Sequence, residues 1–172
     1  MNLELPSLSD EDILNNDEHR WRKFCLDSRI WERQSSTIQE LRFTWNNVPF
    51  RRDCQDQIPE EQGVYMFVIE PNVKLHVQHS YILYIGRARN LRERFKQYFS
   101  YRNSRHPSDQ LRRVMVLVWE KYLLFSYCLA SDLELSELDD LEYALIDTIV
   151  PPMNSQFRAE VIKQRVKLYA PR

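Results

Sequence analysis

Tyr65 and Tyr84 each lie two residues from one of the only two glycines in the chain, in Gly63-Val64-Tyr65 and in Tyr84-Ile85-Gly86. An average chain spends roughly 7% of its residues on glycine. Keeping just two in 172 residues marks both as positions where a side chain is not tolerated. Each flanks a strand-like run, where glycine permits a bulge, a sharp exit or close approach of another backbone. Beyond the second signature the chain is basic: Arg87, Arg89, Arg92, Arg94, Lys96, Arg102, Arg105, Arg112 and Arg113, interleaved with Phe95, Tyr98, Phe99 and Tyr101. Such a segment fits a phosphate-backbone surface or a solvated basic helix face. Glu142 is the remaining candidate. On a helix expected over 132–150 it falls inside the apolar stripe Leu138, Leu141, Leu145 and Ile149, whereas Asp140 and Asp147 fall on the opposite, solvated side. An unpaired buried carboxylate costs several kcal/mol, on the order of the desolvation penalty per ion. Glu142 therefore needs an arginine, a strong donor or a metal ion. Nothing in the spacing suggests a second carboxylate converging with it.

The elements that must position these residues follow from periodicity. Ser7 or Ser9 caps a first helix with Asp10, Glu11 and Asp12 in its first turn. Helical spacing of Trp21, Phe24, Cys25 and Trp31 continues to about Gln34, Thr37 to Trp45 reads as a strand, and Asn46-Asn47 as a turn. Strands are expected over 64–70, 81–85 and 123–131. Helices are expected over 87–99, 108–121, 132–150 and about 157–168, with Val114, Val116 and Val118 keeping a strand open in the second of these and Pro151-Pro152 ending the third. On a helix over 87–99, Arg87 and Arg94 lie nearly on one side, at the border of the apolar face Ala88, Leu91, Phe95 and Tyr98. Arg94 can then point along the sheet towards the tyrosines, either to clamp a phosphate through two parallel hydrogen bonds or to neutralise Glu142. The pattern is α+β: a small, mostly antiparallel sheet with helices packed over it.

Composition narrows the setting. The formal net charge is −1 and names no partner. No apolar run approaches the ~20 residues of a membrane helix. The opening MNLELPSLSDEDILNNDEH lacks the basic-then-apolar order of a secretory signal. Cys25, Cys54 and Cys128 are odd in number and scattered, which points to reduced thiols and a cytoplasmic protein. Cys25 and Cys54 with His76 and His79 lack the tight ligand pairing of a zinc site. His76 and His79 read as exposed loop residues in a segment, Pro71 to Ser80, inserted between the two signatures.

Taken together, these residues resemble the GIY-YIG nuclease superfamily over about Pro59 to Asn154. Gly63-Val64-Tyr65 stands for the first motif, with Val in the middle, and Tyr84-Ile85-Gly86 matches the second. The resemblance implies a catalytic arginine at Arg94, ten positions after Tyr84, a metal-binding glutamate at Glu142, and a structural asparagine at Asn154, twelve positions further on. It departs at Arg87, where lysine is common. Arginine stays charged at working pH and cannot accept a proton, so Arg87 keeps an electrostatic role.

The resemblance implies a three-stranded antiparallel sheet flanked by helices, with residues 1–57 as an N-terminal accessory region, 58–155 as the core and 156–172 as a C-terminal helix and tail. It implies a DNA endonuclease using one Mg²⁺ or Mn²⁺ ion per site, with Tyr65, Tyr84, Arg94 and Glu142 catalytic. Tyr65 would accept a proton from the attacking water, helped by Tyr84, if Arg87, Arg94 and the metal stabilise a tyrosinate. That role implies activity rising towards alkaline pH. Arg87, Arg89, Arg92 and Lys96 are the candidate phosphate contacts, with Gly63, Gly86 and Asn154 as structural support. DNA is favoured over RNA, since no RNA-binding motif is present. The alternative is a catalytically silent nucleic-acid-binding or protein-interaction module on the same fold. A compact chain with an N-terminal addition is similar to the restriction-type branch of defence or repair nucleases. One single-metal site cuts one strand, so cutting both needs a homodimer or successive nicks. The region around Trp21, Trp31 and Trp45 can cover the core, form that dimer contact or read DNA.

Overall fold

The computed structural model describes residues 9–20, 22–24, 31, 44–71 and 80–169. Strand β1 (Asn46–Pro49) is followed by β2 (Gly63–Ile69), β3 (Tyr81–Ala88) and β4 (Leu123–Leu129), forming one antiparallel sheet in the order β1-β4-β2-β3. The described helices are α1 (Asp10–Asn15), α2 (Asp17–Arg20), α3 (Leu91–Tyr101), α4 (Gln110–Val118), α5 (Leu135–Ile149) and α6 (Glu160–Tyr169). Among the described residues the sheet thus has four strands rather than three. Asn46-Asn47, expected as a turn, begins the added strand: both asparagines are exposed and only Val48 turns inward. Residues 37–43 of the strand expected over 37–45 lie outside the described residues, as do Trp21, Cys25, His76 and His79. No continuous helix runs to Gln34, because residues 22–24 are irregular. Among the described residues no helix is long and apolar enough to cross a membrane.

The sheet separates two cores. On one face Tyr65, Phe67 and Phe125 pack with Phe95, Tyr98 and Phe99 of α3, Val114 and Met115 of α4, and Ile13 of α1. On the other face Val64, Met66, Ile85 and Cys128 pack with Leu138, Leu141, Leu145 and Ile146 of α5 and Ile162 of α6. β2 lies at the centre of the sheet with α3 and α4 on one face and α5 on the other, so both of its faces are covered. This is why its sequence is uniformly apolar instead of alternating.

Local signals set the helix ends. Ser9 caps α1 in a capping box with Asp12. The Asn90 side chain accepts the Glu93 N–H at 2.9 Å and starts α3. Helix formation therefore begins four residues later than expected. Arg87 and Ala88 stay in β3 because the ladder to β2 continues through Val64↔Arg87 and Gly63↔Ala88. Residues 110–118 are helical despite their three valines. α5 stops at Val150, a β-branched residue at φ 52°, a conformation costing about 1–2 kcal/mol for a residue with a Cβ. The turn lays the next residues along β3: the Met153 N–H donates to the Leu83 carbonyl at 3.0 Å.

Candidate active site

Gly86 is what allows Tyr65 to occupy its place. Tyr65 and Gly86 are directly paired across β2 and β3, on one face of the sheet. A Cβ at Gly86 would lie 2.4 Å from the Tyr65 hydroxyl oxygen, so the phenol fills the space a side chain would take. Gly63 answers a different constraint: a Cβ there would lie 2.2 Å from the Cys128 carbonyl of β4. A bulge between Phe67 and Val68, opposite Leu83, resets the facing of β3. Tyr84, two residues before Gly86 and opposite Phe67, shares its face and packs on the tyrosine side, while Ile85 packs under α5.

Three tyrosines gather on that side. The Tyr65 and Tyr98 hydroxyls are 3.0 Å apart and hydrogen-bonded, both on buried side chains. The Tyr84 ring lies 6.3 Å from each of the other two rings. Arg94 of α3 is half-buried and acts electrostatically on Tyr65, Tyr98, Tyr101 and Tyr84. Burial pushes the Tyr65 phenol well above the ordinary tyrosine value, reinforced by Tyr84; Arg94 and the Tyr98 hydrogen bond act the other way and do not prevail. Tyr98 is raised as well, again first by burial. The protein's own groups thus hold Tyr65 neutral, and they do not supply the tyrosinate that the proton-acceptor role requires.

Glu142 approaches from α5. Its side chain is 18% exposed, and its Oε2 is 3.0 Å from Arg87 Nε. Burial raises the Glu142 carboxyl above the usual range, and Arg87 only partly offsets this. Arg87 also pairs with Asp139 at 2.6 Å, so two carboxylates do converge, one helical turn apart, on one guanidinium. Arg87 faces α5 from a strand and does not share a helix with Arg94. Asp139 is held in turn by Arg158. Asp147, expected in solvent, is buried, because it accepts the backbone N–H groups of Arg158 and Ala159 at 3.2 and 2.8 Å just before α6.

The remaining candidates divide by partner. Arg92 is tied to the Ile58 carbonyl and to Glu60. Lys96 pairs with Glu93 at the surface, an interaction worth about 0.3–0.5 kcal/mol or less and easily exchanged. Arg89 is exposed. The Asn154 side chain pairs with both backbone groups of Ile85: its Oδ1 accepts the N–H at 2.9 Å and its Nδ2 donates to the carbonyl at 2.8 Å. Sequence reasoning passed over Tyr98, which periodicity grouped with the apolar face. Its place four residues after Arg94, one turn along the same helix, was the available signal. Asp139 carried none, since its partner lies on a distant strand.

The donor set bears on a metal. Among the described residues no three His, Cys, Asp or Glu side chains cluster. Glu142 offers one under-compensated carboxylate. That fits a hard divalent cation, which binds through one or two carboxylates and completes its shell with water and phosphate oxygens. It does not fit a soft metal, which wants thiolates or imidazoles.

A family model for the GIY-YIG catalytic domain matches residues 62–154, more than half of the chain, and the chain belongs to the GIY-YIG family. Among solved structures, crystal structures of the GIY-YIG N-terminal endonuclease domain of UvrC from Thermotoga maritima are similar. Three point mutants bound to the catalytic divalent cation are 22%, 23% and 24% identical, with TM-scores of 0.41, 0.40 and 0.39. Each alignment covers 61% of this chain and 94% of the other. No curated protein sequence matches this chain.

Proposed function

We propose that this chain is a metal-dependent endonuclease that hydrolyses DNA phosphodiester bonds, with one divalent cation per site. The observation that carries this reading is Glu142: a carboxylate whose burial cost its arginine does not cancel, within electrostatic reach of the Tyr65 phenol. A fold with no use for a further cation would gain by replacing it.

Glu142 would hold Mg²⁺ or Mn²⁺ through a carboxylate oxygen. When bound, the ion supplies positive charge to the phosphate and to the leaving oxygen. Arg94 stabilises the charge that grows on the non-bridging oxygens, in a site where a fixed donor needs no reorganisation. Tyr65 is neutral and orients the attacking water by hydrogen bonding, with Tyr98 fixing its hydroxyl. Tyr84 lines the same side. Arg87 keeps Glu142 and Asp139 in place. Asn154 fixes β3, and hence the position of Gly86. Arg89 and Lys96 are the outer phosphate contacts. Two copies of the chain, or two successive nicks, cut both strands.

The test is incubation of supercoiled plasmid with the protein and Mg²⁺ or Mn²⁺, beside Glu142→Ala and a chelator control. Cleavage that both controls abolish is expected. A folded Glu142→Ala protein that cuts at the wild-type rate would refute the assignment. DNA binding without cleavage by the wild type would favour the silent module.

A further inference from the structure

The basic segment sorts itself once its ion pairs are assigned. Arg87 meets Asp139 and Glu142, Arg92 meets Glu60, Lys96 meets Glu93, Arg102 meets Glu120, and Arg105 meets Asp10. Arg112 of α4 differs. Its nearest carboxylate, Asp109, stands off at 3.7 Å and already accepts a hydrogen bond from the Ser104 hydroxyl at 2.8 Å. The guanidinium instead lies over the Tyr101 ring, 5.5 Å from its centre, donates to the Ser108 carbonyl at 3.4 Å, and acts electrostatically on Tyr84. Arg94 reaches the same phenols from α3, and no carboxylate among the described residues forms an ion pair with it.

Two half-buried guanidinium groups, on different helices, therefore act on Tyr84, Tyr98 and Tyr101, with Arg112 seated over the Tyr101 ring. Desolvation works against both charges, and neutral phenols supply dipoles without supplying a counter-charge. An anion completes the set. Arginine is a donor only, so the Tyr84 oxygen faces Arg112 as an acceptor. The Tyr84 proton is then directed away from Arg112, available to the same anion. A planar fork beside a hydroxyl donor suits the tetrahedral, multiply accepting oxygens of a phosphodiester.

We propose that Arg112 and Tyr84 bind a backbone phosphate of the nucleic-acid strand, forming with Arg94 a two-arginine clamp that grips the substrate from two helices. The inference rests on the endonuclease reading for the identity of the strand, and it adds a binding residue outside the family motifs.

The test is binding, so it does not depend on turnover. In a Glu142→Ala background, association with a fluorescent DNA duplex is measured across a range of NaCl concentrations, by fluorescence anisotropy. Loss of one phosphate contact lowers the slope of log K against log salt by about 0.9. That change is expected for Arg112→Gln, together with weaker binding, and not for Arg102→Gln, whose guanidinium already has Glu120 at 2.8 Å. Arg112→Lys should keep the slope and lose affinity, because the charge stays and the fork does not. Wild-type slope and affinity in a folded Arg112→Gln protein would overturn the clamp alone. If the Gln variant fails to fold, undiminished affinity in Arg112→Lys overturns it. No binding of the duplex at any salt concentration would overturn both the clamp and the DNA reading beneath it.

Discussion

Replacing Gly86 by alanine isolates the placement of the Tyr65 hydroxyl. The new Cβ would stand 2.4 Å from that oxygen and 2.5 Å from the ring carbon bearing it, where ordinary contact begins at 3.4 Å. The end of the ring must retreat by about 1 Å (3.4 − 2.4). The retreat is obstructed, since the ring stacks on Phe125 with centroids 5.0 Å apart and its hydroxyl is bonded to Tyr98 at 3.0 Å. Overpacking of this kind costs about 1–3 kcal/mol. At about 2–4 °C per kcal/mol for a chain of this size, the melting temperature should fall by roughly 2–12 °C. A misplacement of about 1 Å at a reacting group costs on the order of 100-fold in rate, so cleavage should fall further than stability does. Backbone conformation does not confuse the result, because neither glycine has positive φ. The assay is plasmid nicking below the melting range for Gly86→Ala, Tyr65→Phe and the double variant. If alanine acts by displacing the hydroxyl, it slows the Tyr65→Phe protein little further, although the ring clash still lowers its melting temperature. Losses in rate that simply add would show that Gly86 acts through something else. A folded Gly86→Ala protein with the wild-type rate would refute the reasoning outright.

Two further outcomes follow from the buried ionisable groups. Burial raises both Tyr65 and Tyr98 in the folded state, so their contribution to stability is complete below the unfolded phenol value of about 10 and is lost as pH rises beyond it. Near-ultraviolet titration should therefore find two fewer phenols ionising in the native protein than after unfolding; a full complement ionising before unfolding would contradict the neutral Tyr65 assigned above. Asp10 is held below its ordinary value chiefly by the hydrogen bond from Arg113. Its contribution is present above that ordinary value, 3.8, and fades as pH falls through the lower, folded one. Asp10→Asn weakens the support of a buried arginine in α4 and should cost about 1–2 kcal/mol at pH 7 by denaturant melting, the carboxylate's own exposure having been discounted. An unchanged midpoint would show that α1 is not anchored through this pair.

How much of this was legible in the sequence differs from residue to residue. Both glycines were visible as constraints, yet what fills each space was not. That depends on the Tyr65↔Gly86 register, a pairing between residues 21 positions apart in the chain. Glu142 was legible from helical period alone, because an apolar stripe on one face needs no partner to be seen. Its arginine was misplaced because Arg87-Ala88 continues into a helix as readily as into a strand, and the ladder to β2 decided. Asp147 shows the converse failure: a helical wheel puts it opposite the stripe but does not show that the chain returns there to offer two N–H groups. Asn46-Asn47 has turn chemistry that pairing with β4 at the sheet's margin overrode.

The paired amide of Asn154 has a consequence unrelated to cleavage. Among the described residues β3 is the last strand of its sheet, and its outward N–H and C=O groups are those a strand from another molecule would seek. At Ile85 both are already engaged by one side chain, and at Leu83 the carbonyl is taken by Met153. The centre of this margin therefore offers no continuous template for intermolecular strand addition. Residues that fix the site's geometry thereby also help to keep concentrated protein from assembling into fibres.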